Sequence, residues 1–421
     1  MRKLAFLPLA SGFLLSITGC SADGGTTDAG PRVDARADGM MSDATNGDVG
    51  SGMDGTNGNG DASDTGPADA ICGSNRFAVE STPPNVLILL DRSCSMRRRI
   101  DGVFATEGDG TSKWEIAVTA LHGLTSRYPT QVRWGLISLP RNNEPGEDTS
   151  CAGSPVCGGS VSCPQVAPGP GTGSLVDMEV DRASPFPTCG SGAQMMITPI
   201  LGGLQASLAV PQLHDTARND FVLLITDGQE SCDPANVVSG VTALRSANIR
   251  TAVVGFGMVK AGGVDPAQLN ALADAGGLPA MGANRYYAAD DATSLQSAFT
   301  SIIGSTISCT FSLSTPPADV SLLHVFENAT MELTRDPSHT MGWDYDPAAN
   351  AITLYGGACD DVRALRASQL DVIEQCPGGM MPPPPTMCHH NGQSCDSDTD
   401  CCNLEGLACD TVHHLCIPAP G

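Results

Sequence analysis

Between residues 86 and 303 the chain alternates short apolar runs with longer segments of helical periodicity. The continuous apolar run 86–90 predicts a strand buried on both faces, and mainly apolar segments predict strands at 132–139, 221–225 and 249–256, with a shorter strand at 285–288. The segments between them predict helices at 113–127, 198–210, 236–246, 266–274 and 292–303. Repeated strand–helix units of this length indicate an α/β domain: a doubly wound, mostly parallel sheet with helices on both faces.

Shorter strand-like runs follow this region. They lie at 310–313, 321–325, 331–333, 351–354 and 370–373, with turn residues between them. They predict a small β domain at 306–377, which contains Cys309, Cys359 and Cys376. Cys72 is a candidate fourth partner, because the ends of a compact domain often lie close together.

A Pro-rich spacer at 378–387 leads to a segment, 388–416, in which six cysteines follow the spacing C-x6-C-x5-CC-x6-C-x6-C. So short a segment cannot build an apolar core, so disulfides must hold it together. The spacing resembles that of knottins, which are cystine-knot mini-domains. The six residues are Cys388, Cys395, Cys401, Cys402, Cys409 and Cys416.

The N-terminus has the pattern of an export signal. Arg2 and Lys3 precede an apolar run that is too short to span a bilayer. The run ends in Ile-Thr-Gly before Cys20, which resembles the bacterial lipobox. That resemblance implies a signal peptide at 1–19 and a lipid on Cys20, and Ser21 after it favours the outer membrane. An ordinary cleaved signal is the alternative.

The amino-acid composition predicts a disordered linker, the class of partner and the compartment. Residues 20–70 form a predicted disordered linker, because the stretch after Cys20 contains ten Asp, two Arg and no Leu, Ile, Phe, Trp or Tyr. The whole chain has a formal net charge of −24, which makes nucleic acid an improbable partner. Its 17 cysteines indicate an oxidising compartment.

Oxygen-bearing side chains follow two predicted strands. Asp91, Ser93 and Ser95 come after the run at 86–90, and Asp227 follows the run at 221–225. Thr198 opens a helix between them. Because the carboxyl ends of parallel strands meet at one edge of a sheet, these side chains are predicted to converge.

This D-x-S-x-S, Thr and Asp constellation resembles the metal-ion-dependent adhesion site of von Willebrand factor A domains. The resemblance covers residues 72–305, with an insertion at 140–190. It implies bound Mg²⁺ (or Mn²⁺ or Ca²⁺), with Ser93 and Ser95 as direct ligands, Thr198 direct or through water, and Asp91 and Asp227 largely through water. A partner protein's Asp or Glu would complete the shell. The alternative is an empty site whose Ser and Asp residues cap loops.

Two neighbouring features bear on this site. Arg97, Arg98 and Arg99 could steer an acidic ligand, or could be a solvated helix start. Cys94 lies inside the motif and Cys232 follows Asp227 by five residues. On the family's strand order we predict a Cys94–Cys232 disulfide that staples the metal site.

The sequence thus predicts a lipid-anchored adhesion or protein-recognition module at the bacterial outer membrane or cell surface, and not an enzyme. His122 and His214 have no evident role as a base. Two alternatives remain: a display protein whose cysteine-rich end is an inhibitor, and a metal-dependent hydrolase.

Overall fold

Two short strands, β1 (Asn75–Phe77) and β2 (Val79–Ser81), precede the central sheet. The strands of that sheet are β3 (Asn85–Asp91), β4 (Arg133–Leu139), β5 (Val166–Gly169), β6 (Asp220–Thr226), β7 (Ile249–Phe256) and β8 (Tyr287–Ala289). Their order is β5-β4-β3-β6-β7-β8. All neighbours are parallel except β5, which runs antiparallel to β4 at the edge.

The coordinates are a computed structural model that describes residues 75–140, 164–182, 187, 189, 197–257, 263–378 and 385–419. These residues all fall within one compact unit, Pro67–Gly421. The predicted signal peptide, the lipidation site Cys20 and the acidic linker lie outside the described residues.

Helices cover both faces of the sheet. They are α1 (Lys113–Arg127), α2 (Gly173–Arg182), α3 (Ile200–Leu208), α4 (Val237–Ser246), α5 (Pro266–Gly276) and α6 (Ala292–Thr306). Alternate residues of β3 point to opposite faces: Ile88 packs in the core with α1, α2 and α6, and Leu89 packs with α3, α4 and α5. The doubly wound α/β prediction is therefore confirmed.

The strand β5 and the helix α2 lie inside the region predicted only as an insertion. Gly135 of β4 allows β5 to approach, because a Cβ on Gly135 would lie 2.7 Å from Cδ of Pro168. A proline is tolerated in β5 because an edge strand needs only one of its hydrogen-bonding sides.

The second part of the chain forms two antiparallel sheets with a short helix. Its elements are β9 (Thr310–Leu313), β10 (Leu323–Glu327), β11 (Met331–Leu333), β12 (Gly342–Asp346), β13 (Ala351–Tyr355), α7 (Gly356–Arg363) and β14 (Leu370–Glu374). The sheet orders are β1-β14-β10-β11 and β12-β13-β9-β2. The predicted start of the α/β domain at residue 72 therefore needs correction, because residues 75–81 pair with strands of the β domain.

The cysteine-rich end contains the hairpin of β15 (Leu407–Asp410) and β16 (Leu415–Pro418). Its disulfides are Cys388–Cys402, Cys395–Cys409 and Cys401–Cys416. They join the first cysteine to the fourth, the second to the fifth and the third to the sixth. A disulfide-rich mini-domain is thus confirmed, while its likeness to knottins stays a prediction.

The β domain has a disulfide of its own, Cys309–Cys359. Cys376 is also disulfide-bonded, and its proposed partner Cys72 lies outside the described residues. Among the helices that the structure describes, none has both the length and the apolar character needed to cross a membrane.

Candidate metal centre

The ends of the neighbouring strands β3 and β6 bring two aspartates together. Asp91 is 1% exposed and Asp227 is fully buried. The hydroxyl of Thr226 donates to Oδ2 of Asp91 over 2.7 Å, and the backbone amide of Asp227 lies 3.4 Å from the same oxygen. The register of the parallel strands thus places both carboxyl groups at one point of the sheet edge, as predicted.

Two serines link these carboxyl groups. A short 3₁₀ helix, Cys94–Arg97, begins directly after Ser93. The Ser93 amide donates to Oδ1 of Asp91 over 2.8 Å, and the hydroxyls of Ser93 and Ser95 are 2.8 Å apart. The Ser95 hydroxyl then donates to Oδ1 of Asp227 over 2.6 Å. Four predicted ligands therefore form one hydrogen-bonded network.

Thr198 reaches the same point from the loop before α3. A Cβ on Gly228 would lie 3.5 Å from Oγ1 of Thr198 and 4.0 Å from Oγ of Ser95, so both hydroxyls border the space above this glycine. The Thr198 amide donates to Oγ of Ser231 over 2.6 Å, and its carbonyl accepts from the Ser231 amide over 3.1 Å. The loop after β6 thus fixes the position of Thr198.

The electrostatics of the site favour a bound cation. Burial raises the pKa of Asp91 to about 6, and the nearby charge of Asp227 adds to the shift, while hydrogen bonds from Thr226 and Ser93 oppose it. Two buried carboxylates so close together repel each other, and a cation relieves that repulsion. The donors are carboxylate and hydroxyl oxygens, which are the ligands of hard cations such as Mg²⁺, Mn²⁺ and Ca²⁺. The donor set therefore fits the predicted ion.

Sequence reasoning missed two charged residues at this centre. Lys113 is 5% exposed, and its ammonium forms an ion pair with Oδ2 of Asp227. Glu230 is 2% exposed and accepts from the amides of Leu201, at 2.6 Å, and Asp233, at 3.1 Å. No local pattern identifies either residue, because Lys113 is far in the sequence from Asp227 and Glu230 is far from Leu201.

The predicted Cys94–Cys232 disulfide is wrong. Cys94 instead bonds Cys189, which precedes Thr198 in the chain, and Cys232 is disulfide-bonded elsewhere. The prediction relied on the adjacency of β3 and β6, whereas the partner of Cys94 comes from the inserted segment. The loop that contains the two serines is therefore tied covalently to the segment leading to Thr198.

The three consecutive arginines differ in their surroundings. Arg97 and Arg98 are half-buried and Arg99 is exposed. Arg98 donates to the carbonyl of Gly102 over 2.8 Å and stacks 3.9 Å from the ring centre of Phe104. Its guanidinium therefore stabilises the loop before α1, and steering of a ligand by these arginines stays a prediction.

The two histidines considered as bases make contacts away from this centre. Nε2 of His122 lies 3.2 Å from Oδ1 of Asp181, and Nε2 of His214 is 2.8 Å from the carbonyl of Leu208. Neither contact joins the network of Asp91 and Asp227.

Comparison with known proteins identifies similar chains. Residues 205–301 match the model of the von Willebrand factor type A domain. The uncharacterized protein YwmC of Bacillus subtilis (strain 168) is 30% identical over 212 residues, which cover 48% of this chain and 81% of YwmC.

Several solved structures show a distant similarity to this chain. BatB from Bacteroides thetaiotaomicron is 17% identical with a TM-score of 0.36, over 53% of this chain and 98% of BatB. Proximal thread matrix protein 1 from the mussel byssus, with a zinc-occupied MIDAS motif, is 12% identical with a TM-score of 0.34, over 60% of this chain. This chain spans about half the length of the mussel protein, 51%.

Proposed function

Because the chain belongs to the von Willebrand factor type A family, we propose that it is a recognition module that binds an acidic protein ligand through a divalent cation. The observation that carries this proposal is the network in which Ser93 and Ser95 join the buried carboxyl groups of Asp91 and Asp227. Modules of this family are commonly metal-dependent protein-binding or adhesion domains. We propose this role in place of an enzymatic one.

Asp91, Ser93, Ser95, Thr198 and Asp227 would hold Mg²⁺, Mn²⁺ or Ca²⁺. The cation, when bound, supplies a Lewis-acidic position that attracts a carboxylate. Three of the five residues contribute neutral hydroxyls, and the carboxylate of Asp227 is also paired with Lys113, so the protein neutralises a divalent cation only in part. An Asp or Glu side chain of the partner would add the missing negative charge.

The N-terminal part of the chain would anchor this module at a membrane surface. The lipobox-like sequence before Cys20 supports a lipid anchor, and the acidic composition of residues 20–70 supports an extended linker behind it. We propose that the module is presented at the bacterial outer membrane or cell surface, in an oxidising environment that permits its disulfides.

Calorimetric titration of Mg²⁺ and Mn²⁺ into the full-length chain tests the proposal. We expect binding that Asp91→Ala abolishes, because this substitution removes one of two buried carboxylates. Asp101→Ala is the matched control, since Asp101 is exposed on the loop after the 3₁₀ helix, and it should bind the ions like the wild type. A folded wild-type chain that takes up neither ion at millimolar concentration, with or without acetate as a probe carboxylate, would refute the proposal.

A further inference from the structure

Lys113 places a buried positive charge inside the proposed metal centre. It is the first residue of α1, and its amide donates to the carbonyl of Arg98 over 2.9 Å. Its side chain passes Gly257, where a Cβ would lie 3.3 Å from Cδ and 3.6 Å from Nζ of Lys113. The backbone of Gly257, with a φ of 127°, favours glycine for a second reason. The lysine is thus held with its ammonium on Asp227.

The ammonium of Lys113 restricts how the carboxylate of Asp227 can bind an ion. Oδ1 of Asp227 accepts from Ser95, and Oδ2 is paired with Lys113. Both oxygens therefore have partners within the protein before any ion arrives. A cation that interacts with this carboxylate must share it with the ammonium or displace the ammonium.

The balance of charge at the centre follows from these contacts. Asp91, Asp227 and Lys113 together carry one net negative charge when both carboxyl groups are ionised. Two other charged groups nearby are engaged elsewhere: Arg92 lies 5.8 Å from the ring centre of Trp114, and Glu230 accepts from backbone amides. A divalent ion would convert the negative charge of the three residues into a positive one. Burying an uncompensated charge is unfavourable, so an anion should be needed alongside the ion.

We propose that Lys113 makes metal binding conditional on the acidic ligand, which rests on the proposed function of the same centre. The lysine weakens binding of the ion alone, and a ligand carboxylate restores neutrality when both are bound. Since coupling between two ligands is reciprocal, each strengthens the binding of the other. Lys113 is thus a positioning and specificity-determining residue outside the D-x-S-x-S, Thr and Asp constellation.

Titration of Mn²⁺ into full-length wild type, Lys113→Gln and Lys113→Arg tests this inference, with acetate as the probe carboxylate. We expect Lys113→Gln to bind Mn²⁺ without acetate about tenfold or more tightly than the wild type, within the range typical of coupled sites. Lys113→Arg keeps the charge and should resemble the wild type. Acetate, exchanged for chloride at constant ionic strength, should lower the Mn²⁺ Kd of the wild type more than that of Lys113→Gln.

The outcomes separate this inference from the proposed function. Equal Mn²⁺ affinity of wild type and Lys113→Gln would overturn the role of Lys113 and leave the metal centre intact. No Mn²⁺ binding by any folded form, with or without acetate, would remove the proposed function itself. Circular dichroism reports whether Lys113→Gln is folded, and folding only with Mn²⁺ would support the inference, because the ion then replaces the ammonium. If the variant is unfolded in both conditions, an unchanged wild-type Kd on addition of acetate overturns the inference.

Discussion

Burial governs the ionisation of several carboxyl groups in this acidic protein. It is the largest cause that raises the pKa of Asp91 and of Asp371 to about 6, and that of Glu327 to about 7. Arg76, at 3.5 Å, opposes the shift at Asp371. Each of these groups binds its proton more tightly in the folded state than in the unfolded state, so each links stability to pH.

Glu327 at the end of β10 provides the clearest case. It is 2% exposed, and Asp361 raises its pKa further by charge and by a hydrogen bond, while Arg366 opposes the shift. A folded pKa above the ordinary value of 4.5 means that the folded state binds the proton more tightly. The stability from Glu327 is therefore present below pH 4.5 and is lost as pH rises through about 7.

We accordingly expect Glu327→Gln to gain stability relative to the wild type as pH rises from 5 to 8, because glutamine stays neutral. Urea unfolding at the two pH values measures the difference. Glu80→Gln, on the exposed side of β2, is the matched control. The expectation would be contradicted if the difference in unfolding free energy between Glu327→Gln and the wild type were the same at both pH values.

At the scale of elements, the sequence predicts a strand most accurately where both faces of the strand are buried. β3 and β6 each contain a continuous apolar run, and the positions of the oxygen ligands after these two strands follow from the parallel register. β1 and β2 were missed because they are short and pair with strands that are far from them in the sequence. β5 was missed because its four residues include a proline.

The helix α3 shows why part of the site could not be predicted. Its first turn is held by Glu230, which accepts from Leu201 and also from the turn at Asp233. A glutamate three residues after Asp227 has no distinguishing local pattern, and the amides that it binds are known only from the fold. The same reasoning applies to Lys113, whose partner Asp227 is far away in the sequence.

We expect Glu230→Ala to destabilise the protein by about 3 kcal/mol, because it leaves backbone amides without a charged acceptor. The displacement of α3 should also move Thr198 and weaken Mn²⁺ binding. Urea unfolding and calorimetry measure the two effects. Gln229→Ala is an adjacent exposed control that should change stability by less than about 0.5 kcal/mol. A variant as stable as the wild type would show that Glu230 does not hold α3.

At the scale of the whole molecule, the cysteine-rich end packs against the other domains. The Thr130 hydroxyl donates to the carbonyl of Glu405, and Gln131 donates to the carbonyl of Leu404 over 3.3 Å. Gln369 accepts from the amide of Cys388 over 2.8 Å. The spacing of the six cysteines predicted a disulfide framework, but it contained no information about this docking, because the contacts are made by residues that the cysteine pattern does not specify.

Asn403 makes two of the hydrogen bonds that fasten this module to the β domain. Its side chain accepts from the amide of Leu370 over 2.9 Å and donates to the carbonyl of Leu370 over 2.6 Å, so it acts as an extra pairing partner for β14. Leu370 is 1% exposed, which keeps water from replacing these bonds while the module is docked. If both bonds are lost, the amide and carbonyl of Leu370 can regain hydrogen-bond partners only when this part of the structure opens to water.

We therefore expect Asn403→Ala to accelerate hydrogen exchange of the Leu370 amide by roughly 5- to 150-fold, the equivalent of about 1–3 kcal/mol for an unsatisfied buried group. Mass spectrometry on fragments that isolate β14 measures the rate. Asn391→Ala, an exposed asparagine of the same module, should leave it unchanged. The hairpin of β15 and β16 should keep its own protection, because three disulfides hold the module together independently of its docking. Equal exchange of Leu370 in the wild type and Asn403→Ala would mean that the other contacts alone hold the module in place.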